Sequence, residues 1–474
     1  MFRFCFIVWA CFSFVPGWSQ ADMAIVSVKE AMVQRPASTK YSNPSFLRKI
    51  LLGKNYRKEW STPVSLPVFH LAGSGLVIKE LGGGQQTKSL RLEDKKGKEW
   101  VLRTVDKDVS KALPKGLRGS RAHDVVQDMV SAAYPYAPLT IPTLAKAVNV
   151  PAANPVFYFV PDDPALGQYR SLFANQLCML EEREPVPPGV ETESTEKVVK
   201  ELTEENENLI RQRRVLAARL LDMLLGDWDR HADQWRWGEV SAGRFTYFYA
   251  IPRDRDQAYF YSNGLLVKLA RQFGYPHFIG FNKNTKNLKR LNHKGWNFDM
   301  TFLNGLNAMD WETGITSFQK ALNDKVIETA LKKLPPEIYA ISGKTIEEKL
   351  KNRRDGLLKD GMIYYRQLAY HVRISGSDEA EIFRISQQGN KLVVAVFDDE
   401  RNKNYKIYER AFTAGETRKI TLFGLGGKDT FVVNENVTTP IKLYLRGGKG
   451  KDVYEIKGKQ PVKILDGQES KKSK

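Results

Sequence analysis

Between residues 66 and 110 apolar and polar positions alternate in short runs, LVIKEL, SLRLED and EWVLRTVD, separated by GGGQQTK and a Lys-Lys-Gly turn. Alternation broken by glycine predicts antiparallel strands joined by tight turns. Helical spacing begins at His123-Asp124 and continues through VVQDMVSAAY, after which PVFYFV returns to strand character. Leu180-Glu181-Glu182-Arg183 and the proline-rich EPVPPG then read as a connection to a second lobe. Beyond it Leu209, Leu216, Leu220, Met223 and Leu224 recur at helical intervals and lead into GDWDRHADQWRW. The apolar stripe belongs to a core, so the polar run falls in the loop after a buried helix. FTYFYAI predicts a strand ending at Pro252, with Arg253-Asp254-Arg255-Asp256 directly after it. Helical patterns fill 310–372, and from 373 KLVVAVFDD, YKIYERAF, KITLFG and IKLYLRGG predict short strands with turns.

The expected fold class is therefore α+β: a small β-rich lobe (66–182), a larger, mainly helical lobe (183–372), and an all-β C-terminal module (373–474) with glycine-rich turns and a basic tail. Residues 22–65 are polar and basic with scattered prolines and read as an extended lead-in. At 474 residues the chain exceeds one ordinary core, and 42% hydrophobic with 27% charged residues suits globular domains rather than disorder.

Arg3, the apolar run FCFIVWACFSFV and the small and polar residues up to Ala21 have the layout of an export signal, residues 1–21, cleaved near Ala21. A lipid-anchor cleavage at Cys11 is the weaker alternative, because Trp9 and the short preceding run fit it poorly. The run is shorter than the roughly 20 apolar residues a membrane span needs, and no later segment reaches that length. The expected location is the periplasm or cell envelope, with no transmembrane span in the mature chain and at most peripheral association. Cleavage would leave only Cys178, so disulfides do not hold the protein together. A net charge of +19 favours anionic partners such as phosphates, nucleotides, lipid headgroups or anionic polysaccharide. Nucleic acid is not expected, since no zinc-finger spacing, RNP-like strand or basic heptad region occurs.

Two segments carry candidate chemistry. Gly82-Gly83-Gly84-Gln85-Gln86-Thr87-Lys88 offers backbone N–H groups to phosphate, because glycine admits conformations other residues resist, and Arg103 on the following strand carries a cation toward the same anion. Asp229 with Gln234, then Asp254 and Asp256 after one short strand, bring a candidate base and hard oxygen ligands to the ends of neighbouring elements, as a magnesium–nucleotide site requires. The structural alternative is a surface ion-pair network of Asp229, Arg230, Arg253, Asp254, Arg255 and Asp256.

GGGQQTKSLRLED…EWVLR resembles the phosphate loop and third strand of the HipA toxin kinases, which places Gly84, Gln86 and Lys88 in the loop and Arg103 at the strand lysine. GDWDRHADQWRW…YAIPRDRDQAY resembles the catalytic and metal segments of the CotH spore-coat kinases, and DRH is similar to the catalytic loop of lipid kinases and secreted Golgi casein kinases. The resemblance spans about 68–370 and implies a two-lobed protein-kinase-like domain. It makes Asp229 the catalytic base, Gln234, Asp254 and Asp256 the metal ligands, and Arg230 and His231 supports of the loop. ATP with Mg or Mn is the implied cofactor, and an unidentified hydroxyl on a protein or envelope component the acceptor. Arginine for the strand lysine, Gln for Asn and the lack of an obvious helix acid, for which Asp124 and Asp128 are the candidates, depart from the pattern. They keep a non-catalytic pseudokinase, an envelope module binding an anionic or protein partner, as the alternative. The central block is also similar to part of long bacterial envelope proteins fused to a phosphoesterase and an outer-membrane barrel. Gly226-Asp227-Trp228-Asp229-Arg230 has one spacer too few for the phosphoesterase ligand run, and the companion ligand segments are missing.

In the C-terminal module GGKGKDVY (447–454) fits a calcium-binding nonapeptide and GLGGKDTF (424–431) nearly does. Asp429 and Asp452 are 23 residues apart rather than nine, so no calcium stack is expected from them, and Lys428, Lys449 and Lys451 place positive charge where a cation would sit. Glycine turns in a β sandwich or short solenoid are preferred over bound calcium. No HExxH spacing or Gly-x-Ser-x-Gly elbow suggests a zinc protease or serine hydrolase.

Overall fold

The computed structural model describes residues 31–83, 87–186, 190–399 and 405–465. The expected export signal, Gly84, Gln86 and the lysine-rich end from 466 onward lie outside these residues.

The segment read as an extended lead-in is a packed part of the fold from residue 31 on. Strand β1 (Met32–Arg35) pairs antiparallel with β2 (Val64–Pro67), and between them lie the helices Phe46–Leu52 and Arg57–Ser61. The first helix starts at Ser45, whose hydroxyl accepts the Arg48 N–H. Tyr41, Tyr56 and Trp60 are buried in the main core, Trp60 donates its indole N–H to the Ala133 carbonyl at 3.0 Å, and the Arg57 guanidinium grips both oxygens of Asp128 at 3.0 and 2.6 Å. Three aromatic anchors among polar neighbours were enough to fold a stretch whose average composition reads as loop.

A five-stranded antiparallel sheet follows: β3 (Val77–Gly82), β4 (Ser89–Glu93), β5 (Glu99–Thr104), β6 (Val156–Val160) and β7 (Gln176–Glu182), in the order β3-β4-β5-β7-β6. Alternation sends Leu90, Leu92, Trp100, Leu102, Cys178 and Leu180 into a satellite core. The opposite face carries Arg103, Met179 and Glu181, because Arg103 lies across from Met179 and Val101 across from Glu181. The segment expected to leave the lobe at Leu180 thus continues as sheet through Glu182.

The helix Gln212–Leu225 is buried along most of its length and ends at Gly226, whose left-handed φ of 69° closes the helix and releases the chain into the DWDRH loop. The region expected to be mainly helical also holds a four-stranded sheet, in the order β8 (Glu193–Ser194), β10 (Trp235–Ala242), β11 (Phe245–Pro252), β9 (Asn208–Ile210). Trp235 and Trp237 on β10 pack on Phe298 and Phe302 of the helix Trp296–Phe302, and the long helix Lys344–Ala369 lies behind.

From His371 every described element is a strand: β12 (His371–Ser375), β13 (Glu381–Gln388), β14 (Lys391–Asp398), β15 (Tyr405–Thr413), β16 (Lys419–Leu425), β17 (Thr430–Val433), β18 (Lys442–Gly448), β19 (Val453–Ile456) and β20 (Val462–Ile464). The strands form two sheets, β12-β16-β18-β20 and β15-β14-β13-β17-β19; β13, β14 and β15 pair antiparallel within the second, and from β15 on the chain alternates between the sheets with parallel pairing between successive coils. Their inward faces share one core of Val372, Phe383, Ile420, Phe431, Leu443 and neighbours.

Although a spacing of 23 residues does not fit a nine-residue calcium stack, this coil places Asp429 and Asp452 one above the other. Leu425 pairs with Gly448 and Thr430 with Val453, so 23 residues make one full coil and bring the two aspartates into register. The Asp429 N–H donates to Asp452 at 3.1 Å, and the Glu381 N–H donates to Asp429 at 3.1 Å. Each acid folds over the glycine five residues before it, Gly376, Gly424 and Gly447, where a Cβ would collide with the carboxylate. Burial and the neighbouring Glu381 charge push the Asp429 carboxyl up to about 8.

Because Asp429 holds its proton in the fold far above the unfolded value of 3.8, its contribution is full below that value and is lost as pH rises toward 8. Asp429→Asn keeps an acceptor for Glu381 N–H and carries its donor permanently. It is expected to flatten the fall in unfolding temperature between about pH 4 and pH 8 in calorimetric melts. Parallel profiles for variant and wild type would show that the Asp429 proton contributes nothing.

Candidate functional site

Around the DWDRH and RDRD loops, position is set by one fully buried carboxylate. Asp222, in the last turn of the helix Gln212–Leu225, accepts Arg255 Nε through Oδ1 at 2.8 Å, and through Oδ2 accepts Arg219 Nη1 at 2.9 Å and Arg230 Nε at 3.1 Å. Burial would raise its pKa, yet the charges of Arg230, Arg255 and Arg219 hold it below the usual carboxylate range. Arg219 reaches on to Asp299 at 2.6 Å, whose other oxygen takes the Tyr364 hydroxyl at 2.6 Å. Arg230 donates to the Arg253 carbonyl and lies 4.7 Å from the centre of the Trp235 ring. The two loops are therefore fastened to one helix and to each other, and Arg253 N–H bonded to the Gln234 carbonyl at 2.9 Å completes the link.

Asp229 is half-buried and carries Lys294 Nζ at 2.6 Å, with His231 Nε2 at 4.0 Å. Its N–H donates to Asp227 Oδ1 at 3.0 Å. Asp227 is fully buried, and burial, opposed by Arg230, pushes its carboxyl up to about 7. His231 is partly exposed and also lies 3.5 Å from Asp233, so it meets the loop through carboxylates at its surface, whereas Arg230 holds the loop from inside.

Asp254 has a left-handed φ of 47°, a conformation uncommon for a non-glycine residue and worth a functional question. Its Oδ1 pairs with Arg103 Nη1, and Arg103 Nη2 lies 3.7 Å from Glu181. Burial would raise the Asp254 pKa, but Arg103 and Arg253 keep it low, while burial pushes Glu181 up to about 7 against the pull of Arg103. Asp256 pairs with Lys107 Nζ at 2.6 Å. Gln234 places its Oε1 in a buried position with no hydrogen-bond donor, its Nε2 being 3.4 Å from His231 Nε2.

The structure brings Arg103, Asp254 and Asp256 into one region, with Asp229 and Gln234 on the loop fastened beside them. Lys88 is elsewhere. Its backbone pairs with Thr104, which puts it at the edge of the opposite sheet face from Arg103. There it lines a groove of about 870 Å³ with Arg35, Lys40, Thr104 and Lys107. The helix acids also fall elsewhere: Asp128 is taken by Arg57, and Asp124 is largely exposed beside His123. The acid that faces Arg103 is Glu181. Sequence reasoning missed it, because the pairing depends on the register of β5 on β7. It also missed Asp222, Arg219 and Lys294. A carboxylate and an arginine inside the apolar run AARLLDMLL had to be paired, and that was the available clue.

Among the described residues no three His, Cys, Asp or Glu side chains converge as a metal cage. Magnesium ordinarily takes one or two carboxylates with phosphate oxygens and water, and Asp254 and Asp256 are carboxylates of that kind, while Gln234 Oε1 is a buried amide oxygen without a donor.

Asp222→Ala would leave three buried guanidinium groups without their shared partner. The expected loss is about 3–5 kcal/mol of stability, read from denaturant midpoints. A loss below about 1 kcal/mol would mean that the arginines find other acceptors and that Asp222 does not anchor the loops.

No protein-family model matches the chain, and the curated proteins provide no match. Among solved structures the chain is similar to the Helicobacter pylori proinflammatory kinase CtkA, at 12% identity and a TM-score of 0.34, over 61% of this chain and 96% of that one.

Proposed function

We propose that the chain is an exported, atypical kinase-like phosphotransferase that uses a nucleotide with Mg or Mn to phosphorylate a hydroxyl acceptor. The observation that carries this reading is the Arg103–Asp254 pair. It joins a cation on the third strand of a sheet, whose first two strands flank the glycine-rich segment, to a carboxylate in left-handed backbone just after β11. Phosphoryl transfer asks for little covalent chemistry and much convergence of charge, and these groups supply that convergence. Arg103 would hold phosphate oxygens, and Asp254 with Asp256 and Gln234 would hold the metal. When bound, the metal neutralises charge on the transferring phosphoryl group. Asp229 would orient the acceptor hydroxyl and accept its proton. Lys294, already on Asp229, would bring an ammonium beside the charge developing in the transition state. A protein or envelope component would supply the acceptor.

The same ion pairs support the second reading, a non-catalytic envelope module for an anionic or protein partner. Arg103, Lys107 and Lys294 are all engaged by carboxylates, so an anion must compete for them. A divalent cation must compete for the carboxylates in turn. When both bind, each set of charges is paired again, so metal and nucleotide are expected to bind with positive coupling.

Thermal-shift titration tests this. ATP with Mg or Mn should raise the unfolding temperature by more than the sum of the separate effects, and Asp254→Ala/Asp256→Ala should remove the excess. The absence of any metal-dependent nucleotide effect in wild type would sink the enzyme reading. Asp229→Ala should keep the shift and lose phosphotransfer by about 100-fold or more. Unchanged turnover would remove Asp229 as the base.

A further inference from the structure

Two stretches that are distant in sequence pack together on one side of the molecule, and neither contains an acidic residue. Residues 31–58 and 257–298 each carry seven Lys or Arg and no Asp or Glu. They are joined by Tyr56 hydroxyl to the Tyr259 carbonyl at 2.7 Å, Ser262 hydroxyl to the Leu52 carbonyl at 3.1 Å, and Lys54 N–H to Asn263 at 3.1 Å. Gly264 sits against the Leu51–Gly53 backbone, where a Cβ would collide. The helices Phe46–Leu52 and Leu265–Gln272 consequently lie side by side.

Each helix turns one apolar residue inward, Leu52 and Val267, both buried. The outward positions are apolar too. Phe46, Leu47 and Ile50 on the first helix, and Leu266, Leu269 and Phe273 at or just past the end of the second, are exposed, with Phe46 at 79% and Phe273 at 77%. Single exposed apolar residues are ordinary, but six on an adjoining helix pair form a patch that water disfavours. Lys49, Lys54 and Lys268 are exposed among them. Apolar side chains edged by cations, on short helices with a polar surround, suit the headgroup–acyl boundary of an anionic membrane. No described helix is long and apolar enough to cross one.

We propose that this helix pair docks the protein on an anionic lipid surface, with the six apolar side chains inserted at the interface and the lysines on the headgroups. Charge complementarity favours this occupant: a protein partner would have to supply an apolar surface with a matching acidic rim, whereas an anionic bilayer offers both. The proposal stands independently of phosphotransfer.

Flotation of the full chain with vesicles tests it. Vesicles of phosphatidylcholine mixed with phosphatidylglycerol should carry the protein up the gradient, phosphatidylcholine alone should carry little, and added salt should weaken the association. Phe46→Ser/Phe273→Ser and Lys49→Glu/Lys268→Glu should each weaken partitioning by about tenfold while leaving the melting temperature unchanged, since all four residues are exposed. Failure of wild type to bind anionic vesicles overturns the proposal, as does undiminished binding by both variants. Self-association in sedimentation that Phe46→Ser/Phe273→Ser abolishes, without vesicle binding, would assign the face to a second copy of the chain.

Discussion

Asp222 is the constraint on which the site's geometry depends. Three guanidinium groups converge on its two oxygens, and through them one helix end fixes both the loop carrying Asp229 and the loop carrying Asp254. Such a network is not the cheapest way to hold two loops. Buried ion pairs lose hydration on both sides, and well-packed apolar residues often stabilise as much or more. What apolar contact lacks is direction. A guanidinium fork fixes the direction of its contacts, and Arg230 uses that fork to reach carbonyls on the second loop while Asp222 holds its other side. The left-handed backbone at Asp254 persists in that setting, between the Arg230 contact to its carbonyl and the Arg103 contact to its side chain.

Elements with local periodicity were legible in the sequence. The stripe from Leu216 to Leu224, the strand ending at Pro252 and the alternating runs of the first sheet all appear near their expected positions, because period and turn chemistry are properties of adjacent residues, whereas Leu209, expected on the same helix, lies in β9 before it. The packed helices after residue 45 were not, since their burial depends on Tyr41, Tyr56 and Trp60 meeting a surface supplied by residues 130–145 and 259–261. Composition averaged over the segment hides three anchors. The coil period of the C-terminal strands was hidden in another way. A nine-residue search tests one known spacing, whereas the repeat here is 23 residues and is visible only when Gly424…Asp429 is laid over Gly447…Asp452.

At the site, residue types were legible and partnerships were not. Arg103 meets an acid, but from β7 rather than from a helix, because sheet register sets what stands diagonal to it. Lys88 and Arg103 looked like neighbours along the chain, yet strand alternation separates them to opposite faces. Asp229 gains Lys294 from 65 residues away, a pairing no spacing rule contains.

The net charge of +19 is a poor guide to the field at this site. Charges in 0.1 M salt are screened over roughly 10 Å, so distant lysines contribute little to an anion arriving at Arg103. Near the loops the carboxylates of Asp229, Asp254 and Asp256 are each matched by a cation, and the local balance is close to neutral. Much of the excess lies instead on the stretches 31–58 and 257–298, the second of which starts at the Asp256 loop and contains Lys294 near its end. One segment thus supplies both a compensating charge inside the site and an unbalanced surface outside it. A neutral interior and a cationic exterior would draw an anionic surface to the molecule without filling the site with anions, so recognition at the two places can be set by different residues.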